Sequence, residues 1–124
     1  MVCSAVRRGN NELGRAGEDL AADHLRSQGY EILARNWCCR DGELDLVAAT
    51  ADLLVVAEVK TRSGREFGSP AAAVTAQKVA RIRGLALQWR REQCLRWCPV
   101  RFDVIAIDWP VGGSAQVQHI VGAF

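Results

Sequence analysis

GELDLVAATADLLVVAEVKT, residues 42–61, decides the fold. It holds two strand-like runs, Gly42 to Ala49 and Leu53 to Thr61, joined by a short turn near Thr50–Asp52. The apolar run Leu53 to Ala57 reads as a buried strand. Alternation then puts Glu58 and Lys60 on one face and Val59 on the other. Opposite charges at the end of a core strand are costly unless something uses them. Asp45, in the preceding strand, is a second acid within reach of the same region.

Outward from this pair the pattern is clear. Residues 11 to 28 have helical spacing, and Gly29 follows where a helix end wants it. Tyr30 to Trp37 alternates as a strand, and Arg40-Asp41-Gly42 is a turn signal. Short connections predict an antiparallel meander of three strands. Arg62 to Pro70 reads as a polar loop. A long helix is expected from Ala71 or Thr75 to Trp97, with Pro99 marking its end. Val100 to Asp108 alternates strongly, with Phe102, Val104 and Ala106 opposite Asp103, Ile105 and Ile107. After a turn at Pro110, Ala115 to Val121 is a last short strand. The order is αβββαββ. A helix between two strands implies a crossover, so an α/β fold with a mixed sheet of about five strands is predicted.

The chain has 124 residues, which predicts one domain, 11–124, behind a flexible tail at 1–10. No run approaches the roughly 20 apolar residues of a membrane span. The N-terminus lacks the apolar centre of a signal peptide, so a soluble cytoplasmic protein is expected. Net charge is only +2 but unevenly spread. Residues 1–59 carry six basic and ten acidic side chains, and residues 60–101 carry ten basic and two acidic. Fourteen of the sixteen cations are Arg, the better fork for phosphate oxygens. An Arg-rich solvated helix face accounts for the same charges equally well. The five cysteines include the vicinal pair Cys38-Cys39, and neither His24 nor His119 lies near a Cys in sequence. That is not the spacing of structural zinc, and the odd count argues against a disulfide framework, so reduced thiols are expected.

Phosphodiester hydrolysis needs a nucleophilic water and stabilisation of charge on phosphate, both of which a divalent ion supplies. Mg²⁺ prefers a few carboxylates plus waters to a closed cage. Asp45 and Glu58 on adjacent strands offer the carboxylates, the Val59 carbonyl a further ligand, and Lys60 a cation for the water or phosphate. Glu18 shares its helix face with Gly14, Ala21, Ala22 and Leu25, so it is either held against the sheet or solvated at the edge of that stripe. Lys78 lies in line with Ile82, Leu85 and Trp89, and either snorkels outward or reaches the site. Gln77 beside it is a candidate substrate contact. Glu43, Asp52, Asp103 and Asp108 are expected to face solvent or pair with Arg. No nucleophile triad or phosphate-binding Gly-rich loop is present.

Residues 11–18 (NELGRAGE), Arg35-Asn36, 42–47 (GELDLV) and 58–62 (EVKTR) resemble the YraN-like uncharacterised protein family of bacteria. Phe67-Gly68, Pro70, Gln77-Lys78, 101–104 (RFDV) and Ala123-Phe124 extend the resemblance over residues 11–124. Cys38-Cys39 and Ala57 depart from the family's usual residues, away from the proposed ligands. That family is similar to the PD-(D/E)XK nuclease superfamily, with the archaeal Holliday-junction resolvases among its characterised relatives. The resemblance implies a restriction-endonuclease-like fold and Mg²⁺ or Mn²⁺. It gives catalytic places to Glu18, Asp45, Glu58 and Lys60, with Gln77 and Lys78 as an accessory pair.

Together these readings predict a metal-dependent DNA endonuclease, with selectivity for DNA structure as a further expectation. Arg62, Gln77, Lys78 and Arg81 would contact nucleic acid, and a homodimer would be needed to cut branched DNA at two points. The rival is a non-catalytic nucleic-acid-binding module on the same fold. A scaffold whose Glu58 and Lys60 form a merely structural pair is a third reading.

Overall fold

The computed structural model describes residues 12–63, 74–93 and 97–124. The expected tail at 1–10, most of the Arg62–Pro70 loop, and Phe67, Gly68 and Pro70 lie outside them. The elements are α1 (Glu12–Ser27), β1 (Glu31–Cys39), β2 (Gly42–Ala49), β3 (Leu54–Arg62), α2 (Ala76–Gln93), β4 (Val100–Asp108) and β5 (Gln116–Ile120). This is the predicted αβββαββ order and an α/β, restriction-endonuclease-like architecture. The sheet runs β1-β2-β3-β4-β5, antiparallel except for the parallel pair β3–β4. That parallel pair follows from the α2 crossover, since parallel neighbours cannot be joined by a tight turn.

Each helix covers one face. On the α2 face, Ile82, Leu85, Ala86 and Trp89 pack with Leu44, Val47, Leu54, Val56 and Phe102. On the α1 face, Ala21, Ala22 and Leu25 pack with Leu46, Ala48, Ala57, Ile105 and Ile107. The small residues of α1 let it lie close to the sheet. At Gly17 a Cβ would fall 2.0 Å from Thr61 Oγ1, so only glycine fits there.

Local signals set the helix ends. Gly29 has φ +93°, its N–H donates to the Arg26 carbonyl, and the Tyr30 N–H donates to the Leu25 carbonyl. This double closure ends α1 and throws Tyr30 back toward the sheet. Thr75 caps α2, its Oγ1 accepting from the Lys78 N–H at 3.1 Å. Of the two starts the sequence offers for α2, the structure takes Thr75, which puts Lys78 in the first turn. At the other end the described part of α2 runs to Gln93, and Trp97 stands outside the helix, 79 % exposed. The expectation of helix through Trp97 is therefore corrected: Pro99 forbids continuation but does not say how far upstream a helix stops. A second correction concerns the thiols. Cys39 and Cys98 are free, but Cys38 is disulfide-bonded. An odd cysteine count rules out complete pairing, not a single bond. Among the described residues no helix is long and apolar enough to cross a membrane.

Candidate metal and phosphate site

β2 and β3 pair from Ala49↔Leu54 to Leu46↔Ala57 and then part. From Glu58 onward β3 keeps only β4 as a ladder partner. The gap leaves the Val59 N–H without a strand opposite, and Asp45 fills that place: Oδ2 accepts from Val59 N at 2.9 Å. A buried N–H must be paired, so this bond both closes the ladder and fixes the carboxylate beside Glu58.

Asp45, Glu58, Val59, Lys60, Lys78 and Arg81 line one cavity of about 410 Å³. Glu58 and Lys60 share a face, as alternation requires, and Val59 packs toward the α1 core. Lys78 reaches in from α2 to form an ion pair with Glu58, whose side chain is 12 % exposed against 40 % for Lys78. Of the two options for Lys78, the structure takes the one directed into the site.

The remaining predicted residues lie elsewhere. Glu18 is buried, 6 % exposed, on α1 and so on the other side of the sheet, and it does not line the cavity. Arg62 pairs with Asp108 through Nε at 2.9 Å. A phosphate role for Arg62 would require that pair to give way. Gln77 is exposed on α2 outside the cavity lining. A larger hollow of about 720 Å³, near the start of β3, is lined by Leu33, Leu53, Leu54, Trp97 and Pro99. It lacks paired charges, so size alone is a poor guide to chemistry here.

Three carboxylates line this polar cavity, the predicted Asp45 and Glu58 and also Glu43, and their hard oxygen donors fit Mg²⁺ or Mn²⁺, which leave most of their coordination to water and substrate. They do not fit zinc, which favours imidazole and thiolate. Among the described residues no three His, Cys, Asp or Glu side chains form a metal-holding cluster. Any ion would thus rest on Asp45 and Glu58 with non-protein ligands completing its shell.

A second polar cluster escaped the sequence reading. Asp103, 0 % exposed, accepts two bonds from Arg101, at 2.9 and 2.8 Å, and one from the Gly122 N–H at 2.9 Å. Its Oδ2 also lies 2.7 Å from His119 Nε2. Arg101 donates to the Tyr30 hydroxyl at 2.8 Å, and His119 Nδ1 is 3.1 Å from His24 Nε2. Since Asp103 accepts from Nε2–H, neutral His119 presents Nδ1 as acceptor to His24. Burial pushes Asp103 up, but the bonds from Arg101, Gly122 and His119 outweigh it and hold the carboxyl below its usual range. The bond to Asp103 chiefly raises Arg101, and burial followed by His119 lowers His24. Of the two expectations for Asp103, facing solvent or pairing with Arg, the structure takes the second, with the pair held in the core. The signal available was Arg101-x-Asp103, two residues apart on one strand face.

The model of uncharacterised protein family UPF0102 matches residues 17–107. A UPF0102 protein of Frankia casuarinae is 53 % identical over 117 residues, covering 94 % of this chain and 99 % of that one. One from Rhodococcus opacus is 52 % identical over 115 residues, covering 93 % and 98 %. Another, from Clavibacter michiganensis, is 46 % identical over 112 residues, covering 90 % and 95 %. The chain belongs to uncharacterised protein family UPF0102, the YraN-like family that its motifs resemble.

Proposed function

We propose that the protein is a metal-dependent endonuclease that hydrolyses phosphodiester bonds in DNA, with a preference for branched or otherwise structured substrates. One observation carries this reading: Asp45 is bonded across the gap between β2 and β3 to the Val59 amide, beside Glu58 and Lys60 in one cavity. Asp45 and Glu58 would hold Mg²⁺ or Mn²⁺, with the Val59 carbonyl as a further candidate ligand. When bound, such an ion supplies Lewis acidity to the phosphate and acidity to the attacking water. Lys60, on the Glu58 face, orients that water or steadies charge on the phosphate. Lys78 neutralises Glu58; with a divalent cation held by Asp45 and Glu58, the Lys78 ammonium would be available to substrate phosphate. Arg81 adds a fork for phosphate oxygens at the cavity wall. Glu18, held on the α1 side of the sheet, has no part in the cavity chemistry; Gln77, and Arg62 once freed from Asp108, would extend the nucleic-acid contact, and a homodimer would supply two cuts on a branched substrate.

A second reading has its own support. The Lys78–Glu58 pair, a cation already seated on the carboxylate, suits a nucleic-acid-binding module without catalysis. A cleavage screen over branched, nicked and single-stranded DNA with Mn²⁺ tests the catalytic reading. Glu58→Ala and Lys60→Ala should each cut about 100-fold more slowly or worse. If the wild-type protein cuts none of these DNAs, or both variants cut as well as it does, the catalytic reading fails.

A further inference from the structure

β1 and β2 reverse their faces together at one point. On β1, Ala34 packs in the α2-side core, while Arg35 reaches Asp19 of α1. Strict alternation would send Trp37 to the Arg35 side, yet Trp37 packs in the α2-side core. On β2, Leu46 belongs to the α1-side core and Leu44 to the α2-side core, although two residues apart on a regular strand share a face. The register stays one-to-one through this reversal, from Arg35↔Leu46 to Trp37↔Leu44. The residues at the change-over are therefore Asn36 and, opposite it, Asp45.

Asn36 has φ +53°, and it is the one non-glycine residue with positive φ among those described. Asp45 has no such anomaly, so the unusual backbone that accompanies the double reversal lies on β1. A ladder N–H points along the sheet plane. Asp45, sitting at the change-over, points along that plane to the Val59 N–H instead of toward either helix. The Asn36 side-chain oxygen is buried with no hydrogen-bond partner, so its side chain does not explain its presence through bonding. Its backbone does: after glycine, Asn is among the residues that tolerate the left-handed region best.

We infer that Asn36 is a positioning residue: its left-handed backbone reverses the β1–β2 pair and thereby aims Asp45 at the Val59 amide and the cavity. The functional meaning of that aim rests on the metal-site reading above, but the aim itself can be read without metal.

The readout is hydrogen exchange of the Val59 amide in ¹⁵N-labelled protein, taken relative to the Val56 amide within the same strand. Asp45→Ala sets the value for a lost acceptor, about tenfold faster exchange or more. Asn36→Gly, which keeps the left-handed backbone, should stay within about twofold of wild type. Asn36→Ala should move most of the way to the Asp45→Ala value, and should weaken Mn²⁺ binding in parallel. Alanine is chosen over a β-branched residue so that the variant still folds, and the Val56 amide reports whether it has. Val59 exchange in Asn36→Ala within twofold of wild type would overturn the inference, as would Asn36→Gly behaving like Asp45→Ala. If wild-type protein binds no Mn²⁺ while the Val59 pattern holds, the metal reading falls and the positioning role stands. If Mn²⁺ binds while Val59 is indifferent to Asn36→Ala, the positioning role falls and the metal reading stands.

Discussion

Asp103 and Glu58 lie on neighbouring strands, and each carboxylate meets a basic side chain. Asp103 is opposite Ala57, one step in register from the Glu58↔Val104 pair. Their surroundings diverge from there. Asp103 is fully enclosed and takes bonds from Arg101, His119 and the Gly122 amide, leaving it no capacity for a ligand. Glu58 opens onto a cavity and meets a Lys78 that is 40 % exposed. The first cluster ties α1, the Tyr30 turn, β4 and β5 together. The second holds charges where a ligand can exchange with them. Enclosure and saturation, more than the kind of residue, separate a structural carboxylate from one left open to a ligand.

The largest effect should come from removing the enclosed acid. Asp103→Ala leaves Arg101 and His119 facing each other without their shared partner, and should cost about 3–5 kcal/mol in urea unfolding. Glu58→Ala removes half of a partly solvated pair and should cost about 1 kcal/mol or less. Similar losses for the two variants would erase the distinction between the clusters.

Next is the seam between the faces. Gly17→Ala drives a Cβ into Thr61 and should cost about 1–3 kcal/mol, with partial recovery in a Gly17→Ala, Thr61→Ala double variant. An unchanged melting temperature for Gly17→Ala would show that α1 does not sit this close to β3.

A smaller effect is expected from pH. His24 is held below its ordinary 6.5, so the unfolded chain takes up that proton more readily than the folded one. Stability from this group is full above about 6.5 and declines as pH falls through the window beneath it toward the lowered folded value. Asp103 is held below 3.8, so its contribution is lost only under still more acid conditions. His24→Gln should flatten the upper window in urea midpoints taken from about pH 7.5 to 5 and leave the acid limb in place. A wild-type midpoint that is level across that window would remove His24 from the network.

The smallest effect concerns the open cluster. Lys78→Ala frees Glu58 from a competing cation, and Mn²⁺ affinity should rise by up to about fivefold, the worth of an exposed pair. Weaker Mn²⁺ binding would mean that Lys78 supports the ion instead of competing with it.

Much of this was legible in the sequence wherever a single period ran uninterrupted. Strand β4 shows the two faces expected, because strict alternation from Phe102 to Ile107 leaves no other arrangement. Glu58 and Lys60 share the cavity for the same reason, and the helical spacing of Ile82, Leu85 and Trp89 puts Lys78 on the core side of α2 without deciding between snorkelling outward and entering the site. What escaped depended on contacts between distant positions. His24 and His119 are 95 residues apart and have no local partner, so nothing along the chain couples them to Asp103. The reversal at Asn36 also left no trace, because one left-handed residue interrupts a period without altering composition. The third acid was the opposite case: Glu18 is buried as its stripe allows, but burial on α1 did not carry it into the cavity.

The most direct test is calorimetric titration of Mn²⁺ into the wild-type protein and into Asp45→Ala and Glu58→Ala. A divalent site in the wild type that is lost in both variants, with both still folded, is the predicted result. No Mn²⁺ binding by the wild type, or binding unchanged in the two variants, would contradict a metal site built on Asp45 and Glu58.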